Sequence, residues 1–336
     1  MKIAVVGAGA IGGYLGARLA MAGQEVTFIA RNQNLSAIRS RGFSLILEDG
    51  SVQHAPDVRA VDDMADAGPQ DAVLLTLKAH QLREVLPTLR CLFGPKTCVV
   101  TMINGVPWWY FQRLAGPYMG RCLTSVDPDG AIARQIEPER VVGGVVFPAA
   151  ELVEPGLVRV IEGNRFTLGE PDGTRSPRVE ALSQAMMKAG FKAPVSQDIR
   201  TEIWIKLWGN LSFNPISALT HSTLTGICRH PLARELATEM MREAQAVAEQ
   251  LGVVFRISLE QRIAGAAAIG AHKTSMLRDV ELGRALELEA LVGSVVELGR
   301  ITGTPTPAIS AIYAATALLA QTLTDANGRL EVQPLR

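Results

Sequence analysis

The chain opens on a strand, a glycine turn and a helix, and that succession restricts its fold more than any other stretch. An apolar, β-rich run from Ile3 to Val6 breaks at Gly7 and leads into the helix-like Tyr14-Leu15-Gly16-Ala17-Arg18-Leu19-Ala20. Gly7, Gly9 and Gly12 stand at G-x-G-x-x-G spacing, with Ala8, Ala10 and Ile11 between them. Gly7 permits a tight exit from the strand. Gly9 removes the Cβ that would hold a pyrophosphate off the backbone, and Gly12 lets the helix lie close to a sheet. The helix start then offers N–H groups and a positive dipole end to phosphates. A second strand, Glu25 to Ile29, follows the turn Ala22-Gly23, so the reading is a dinucleotide-binding βαβ unit.

The 336 residues are enough for two domains and a large core. With 33 basic and 33 acidic residues, the balance argues against nucleic acid or an anionic membrane as partner. Cys91, Cys98, Cys122 and Cys228 form no C-x-x-C pair and no zinc-like spacing with histidine, which suits thiols in a reducing cytoplasm. No metal site is expected. Glycines and Arg18 interrupt the N-terminal apolar stretch, unlike a secretory signal. No unbroken apolar run reaches the length of a membrane span, so a soluble protein is expected.

After the second strand comes Ala30-Arg31-Asn32. An acid at this strand end would bind a free ribose 2′-hydroxyl. Arg31 stands there instead, and a guanidinium pairs with a 2′-phosphate, so NADPH is favoured over NADH. Residues 44–58 suggest a hairpin around Glu48-Asp49-Gly50. Two buried parallel strands follow, Asp71 to Leu77 and Thr97 to Ile103, with a helix from Leu82 to Leu89 between them. Lys78 and Asn104 stand at their carboxyl ends, where ligands of open α/β sheets gather. The Asn104-Gly105 pair is also an ordinary turn dipeptide. Further strands are expected over Cys122 to Val126, Arg140 to Phe147, Gly156 to Ile161, Arg165 to Leu168 and Phe191 to Val195, with a helix over Pro177 to Ala189. The expected domains are 1–197, a Rossmann-type α/β domain, and 198–326, all α.

Asp198 reads as the N-cap of a helix that is apolar on nearly every side, from Ile203 to Phe213. Glu202, Lys206, Asn210 and Asn214 recur every four residues along it. Such a stripe is ordinarily a solvated face. Here the remaining surface is Trp, Ile, Leu and Phe, so a solvated face and a functional one are equally compatible with the pattern; a lysine against an apolar wall can donate a proton and has a tunable pKa. Pro215 predicts a kink that ends the stripe at Asn214. Helices are further expected over Pro231 to Leu251, Ser258 to Gly270, Arg278 to Ile301 and Thr306 to Leu323, with a frayed tail from Asn327 to Arg336. The pattern does not say which of Glu281, Glu287 and Glu289 faces a site. The apolar helices are compatible with a homodimer, and a buried core accounts for them equally well.

Taken together, Gly7-Ala8-Gly9-Ala10-Ile11-Gly12, Thr76-Leu77-Lys78-Ala79, Asn104-Gly105-Val106, the run from Ile203 to Asn210 and Ser275-Met276-Leu277-Arg278-Asp279 resemble the 2-dehydropantoate 2-reductases, or ketopantoate reductases, nearly end to end. The resemblance implies a Rossmann domain, a helical substrate domain, an active site in the cleft between them, and NADPH-dependent reduction of a small 2-oxo acid. It implies that Lys206 is the general acid, that Asn210, Asn214 and Ser275 bind substrate, and that Lys78 and Asn104 lie at the nicotinamide side, Asn104 also touching substrate. Glu287 then lies near the nicotinamide ribose and the lysine, and Arg31 meets the 2′-phosphate. Ile103 replaces a usual Gln and Leu224 a substrate-binding Asn, which leaves open a different 2-oxo acid or ketone.

Overall fold

The computed structural model describes residues 1–333. The chain divides into two compact units. The first comprises Met1–Ile103, Pro107–Cys122 and Asp129–Glu202; the second comprises Asn104–Val106, Leu123–Pro128 and the chain from Ile203 onward.

The strands of the first unit are, in order, β1 (Lys2–Val6), β2 (Glu25–Ile29), β3 (Phe43–Ile46), β4 (Val52–Ala55), β5 (Arg59–Val61), β6 (Gln70–Leu75), β7 (Phe93–Thr101), β8 (Val141–Val146), β9 (Ala149–Glu154), β10 (Leu157–Glu162) and β11 (Phe166–Gly169). Its helices are α1 (Ala10–Met21), α2 (Asn32–Arg41), α3 (Met64–Ala67), α4 (Leu82–Leu89), α5 (Ala131–Gln135) and α6 (Pro177–Lys188). Seven strands form a sheet in the order β11-β8-β7-β6-β1-β2-β5. All neighbours run parallel except β11 against β8. The order reverses at β1, whose neighbours are β2 and β6, so the carboxyl ends of β1 and β6 frame the switch point where ligands of such sheets bind. This is the expected Rossmann-type architecture. From Ile3 to Val6 the first strand is buried throughout, as a strand covered on both faces must be.

A second sheet, β4-β3-β10-β9, lies on the other side of α1. Glycines make that sandwich possible. A Cβ at Gly16 would overlap Phe28 of β2, and one at Gly13 would overlap Phe43 of β3. The two rings stack at 5.1 Å between the layers. The hairpin expected near residues 44–58 is therefore half of a four-stranded sheet, completed by β9 and β10, with β3 and β10 parallel.

Two expected strands do not form. Cys122 to Val126 is a series of turns, because the Thr124 and Ser125 N–H groups bond the Glu297 carboxylate and not a ladder. Phe191 to Val195 makes only isolated bridges, at Lys192 and Val195. Between them, Pro194 has no N–H to give.

The second unit carries most of α7 (Ile199–Thr220), then α8 (Leu224–Arg229), α9 (Pro231–Gln250), α10 (Leu259–Ala268), α11 (Ser275–Glu281), α12 (Ser294–Thr302) and α13 (Pro307–Asp325). Asp198 caps α7 as expected, accepting from Thr201 N–H at 3.0 Å and from the Thr201 hydroxyl at 2.6 Å. Pro215 does not end the stripe: α7 runs through it, and Asn214 is helical. Every residue from Leu211 to Ala218 is buried, and that packing outweighs the roughly 3 kcal/mol a proline costs inside a helix.

The single helix expected from Arg278 to Ile301 is broken. Gly283, at φ +63°, ends α11 in a left-handed turn, and a π-helical turn over Glu289–Gly293 precedes α12. Past Asn327 the tail has no helix or strand, but its Leu330 N–H donates to Val280 O at 3.3 Å; residues 334–336 lie outside the described residues. Among the described residues, α13 alone is long and apolar enough to cross a membrane by length and composition, with mean hydropathy 1.2. Ser310, Thr316, Gln321 and Thr322 interrupt it.

Candidate active site

The glycine turn is held by contacts that the motif does not name. Gly7 has φ +104°, a conformation L side chains rarely adopt. The Thr76 hydroxyl, just beyond β6, donates to Val6 O at 3.1 Å and is 2.7 Å from Gly7 O. A Cβ at Gly12 would overlap both Gly7 O and that hydroxyl, which is why the helix can approach the turn so closely. At Gly9, the N-cap of α1, an added Cβ would meet nothing within 4 Å. No side chain caps this helix end. The turn thus presents an open face and helical N–H groups, leading through Ala10 and Ile11, that fit a phosphate. From α2, Asn34 Nδ2 donates to Ala8 O at 2.5 Å and ties that helix to the turn.

Arg31 caps α2 at the end of β2. Its Nη1 lies 3.5 Å from Glu84 Oε2, and the two side chains are 61% and 59% exposed. A water-screened pair of this kind holds its partner weakly, so the guanidinium can exchange it for a phosphate. Lys78, half-buried beyond β6, donates its N–H to Gln81 Oε1 at 3.1 Å and starts the turn Ala79–Gln81. The first unit therefore carries Gly7 to Gly12, Arg31 and Lys78 at the carboxyl ends of β1, β2 and β6.

The second unit assembles the other set. Lys206, on α7 and partly buried, donates from Nζ to Asn104 Oδ1 at 2.5 Å. Burial pushes the Lys206 ammonium down to about 8 from an ordinary 10.5, against the opposing pull of the Glu287 carboxylate. Asn210 lies one turn beyond Lys206 and is half-buried. One turn further, the buried Asn214 places Nδ2 3.5 Å from Ser275 Oγ, at the start of α11. A contact that long leaves both groups able to turn toward a carboxylate. Glu202 departs from the stripe: its Oε2 accepts from Arg165 Nη2 at 3.1 Å, within the first unit.

Three structural supports escape the sequence reading. Thr76 was visible only as part of a motif, Asn34 only as a polar residue early in a helix. Glu297, which accepts from Thr124 N–H, the Thr124 hydroxyl and Ser125 N–H at 2.8, 2.9 and 2.8 Å, carries no sequence signal, because its partners lie more than 170 residues away. Among the described residues no group of three or more His, Cys, Asp or Glu could hold a metal ion.

The family model for ketopantoate reductase PanE/ApbA matches residues 3–173, and that for its C-terminal part matches residues 198–320. The chain belongs to the ketopantoate reductase family. It is 55% identical over 315 residues to a 2-dehydropantoate 2-reductase of Mesorhizobium japonicum, covering 94% of this chain and 96% of that protein. A Ralstonia solanacearum MolK2 crystal structure assigned as a ketopantoate reductase superimposes with TM-score 0.91 at 43% identity, covering 96% and 98% of the two chains. The 2-dehydropantoate 2-reductase of Geobacter metallireducens GS-15 superimposes with TM-score 0.83 at 28% identity, covering 95% and 100%. The chain is an oxidoreductase of this NAD(P)H-dependent family. Against the family pattern, Ile103 is half-buried, and the buried Leu224 opens α8 with its N–H on His272 O at 3.0 Å.

Proposed function

We propose that this ketopantoate reductase family member reduces 2-dehydropantoate to pantoate with NADPH, a step of pantothenate and coenzyme A synthesis. The observation that carries the reading is Lys206: an ammonium lowered to about 8 and fixed at 2.5 Å on Asn104 Oδ1. Such a group is protonated near neutral pH yet gives its proton up readily. We take 1–197 as the NADP-binding domain and 198–326 as the substrate-binding domain of a cytoplasmic enzyme.

The residues present fit the cofactor. The backbone from Gly7 through Ala8, Gly9, Ala10 and Ile11 to Gly12 takes the pyrophosphate, Arg31 the 2′-phosphate, and Lys78, Asn104 and Glu287 the nicotinamide side. When bound, the reduced nicotinamide supplies hydride to the substrate's C2 carbon. Lys206 gives its proton to the C2 oxygen as negative charge grows there and is left a neutral amine. Asn104 holds Lys206 in place through its Oδ1. Asn210, Asn214 and Ser275 orient the substrate, Ser275 at its carboxylate, so that the carbonyl meets both reactants in one geometry.

A panel of 2-oxo acids tests the proposal, with kcat/KM expected to be highest for 2-dehydropantoate. A second reading, the same chemistry on another 2-oxo acid or ketone, is favoured specifically by Leu224 and Ile103, two apolar side chains at positions the family fills with amides. A kcat/KM for another acid far above that for 2-dehydropantoate would establish the second reading and overturn the first.

A further inference from the structure

Lys206 is useful only if its partner stays in place, and the partner is not on its own helix. Asn104 reaches it from a three-residue segment, Asn104–Val106, that packs with the second unit although it follows β7. What holds that segment is a backbone irregularity. In an α-helix the Ser294 N–H would donate to Ala290 O. In the π-turn over Glu289–Gly293 it donates to Glu289 O instead. The Ala290 carbonyl accepts from Val106 N–H at 2.8 Å and from the Ser294 hydroxyl at 2.8 Å. Gly105 makes the approach possible. It has φ +91°, and a Cβ there would overlap the Ala290 carbonyl. Glu287, whose carboxylate acts on Lys206, leads into the same turn, and its carbonyl accepts from Leu291 N–H at 3.3 Å.

We infer that the π-turn Glu289–Gly293 is the positioning device of the proton donor, seating Asn104 against Lys206 through the Val106–Ala290 bond, with Gly105 and Ser294 as positioning residues. π-Turns recur at functional sites because they redirect one carbonyl without ending the helix. The hydrogen bonds of this turn say what it is for: the carbonyl it redirects carries the loop that bears Asn104. The inference rests on the reading of Lys206 as general acid, and the experiment separates the two.

Gly105→Ala should lift the segment off Ala290 and misplace Asn104 by about an ångström, a displacement that costs on the order of 10²-fold in kcat. Displacement of the segment should admit water to the buried ammonium, and hydration should move Lys206 back toward its ordinary value by more than loss of the Asn104 acceptor lowers it. The alkaline limb of the kcat/KM profile should then move to higher pH. So should the midpoint for acylation of Lys206 by an amine-selective reagent, followed by mass spectrometry on the cofactor-free protein. A merely structural glycine would lower the melting temperature and leave both midpoints unmoved. Ser294→Ala, which removes one hydroxyl and adds no atoms, should shift both midpoints in the same direction by less, and it decides the matter if Gly105→Ala does not fold. Unchanged kcat and unchanged midpoints in the folded variants would overturn the inference while leaving Lys206 in its role. If wild type reduces 2-oxo acids and Lys206→Ala does so equally well, it is the reading of Lys206 that fails.

Discussion

In the role proposed for it, Lys206 would have to be acidic enough to part with a proton and charged enough to have one, and its surroundings bear on both conditions. Burial lowers its pKa to about 8 while the Glu287 carboxylate opposes the shift. Lys206→Ala should lower kcat by about 10²–10⁴-fold, the range for losing a positioned proton donor. NADPH affinity, read by fluorescence titration, should change little. A near-wild-type kcat would remove Lys206 from the chemistry. In wild type, kcat/KM, which reports ionisation of the free enzyme, should fall as pH rises through about 8, because only the ammonium can donate. A rate flat to pH 10 would contradict this. Arg31 makes a different claim, on cofactor choice. Its pair with Glu84 is exposed and weak, so Arg31→Ala should raise KM for NADPH much more than for NADH. Equal effects on both would show that it does not read the 2′-phosphate. Both residues stand out in the sequence for physical reasons: Arg31 stands at a strand end where an acid would bind a free ribose 2′-hydroxyl, and Lys206 stands among Trp, Ile and Leu side chains. Thr76 and Asn34 were not, since a hydroxyl or amide bonding a distant backbone carbonyl leaves no periodicity behind.

The glycine turn separates two kinds of glycine that the G-x-G-x-x-G spacing treats alike. At Gly9 an added side chain meets open space, so Gly9→Val should leave the melting transition nearly intact and abolish NADPH binding by filling the phosphate's approach. At Gly12 an added Cβ overlaps Gly7 O and the Thr76 hydroxyl. Gly12→Ala should therefore destabilise the fold by about 1–3 kcal/mol, as overpacking does. Calorimetry beside a binding titration checks both, and equal loss of stability in the two variants would refute the distinction. The elements read well wherever a pattern is local: β1, α1 and β2, the buried β6, and α4, whose bounds match the sequence reading. They read poorly where a distant partner decides. The parallel pairing of β3 with β10 joins residues more than 100 positions apart, and Glu297 keeps Thr124 and Ser125 out of a strand. The break after α11 was readable in principle, since Gly283 is the residue type that most often ends a helix in a left-handed turn. The π-turn leaves no such mark.

At the scale of the molecule, the same burial that tunes Lys206 acts against folding. An ammonium whose pKa is lowered in the native state from 10.5 to about 8 is bound more weakly by protons when folded than when unfolded. Below about 8 the group is charged in both states and its burial penalty is fully present. Between about 8 and 10.5 the unfolded chain still holds the proton that the folded chain has lost, so this group's contribution to stability rises with pH. Above 10.5 it is neutral in both states and the penalty is gone. The proposed role would thus keep a destabilising charge on a helix whose Ile203, Trp204, Leu207 and Trp208 around it are buried, as tuned sites commonly do. Lys206→Met preserves the length of the side chain and removes the charge. It should be more stable than wild type near pH 7, and the advantage should shrink steadily as pH is raised toward 10. Paired urea titrations at the two pH values measure it. An advantage that is constant with pH would mean that Met packs better for reasons unconnected with charge. A variant less stable than wild type at pH 7 would mean that the Asn104 and Glu287 contacts offset the burial of the ammonium in full.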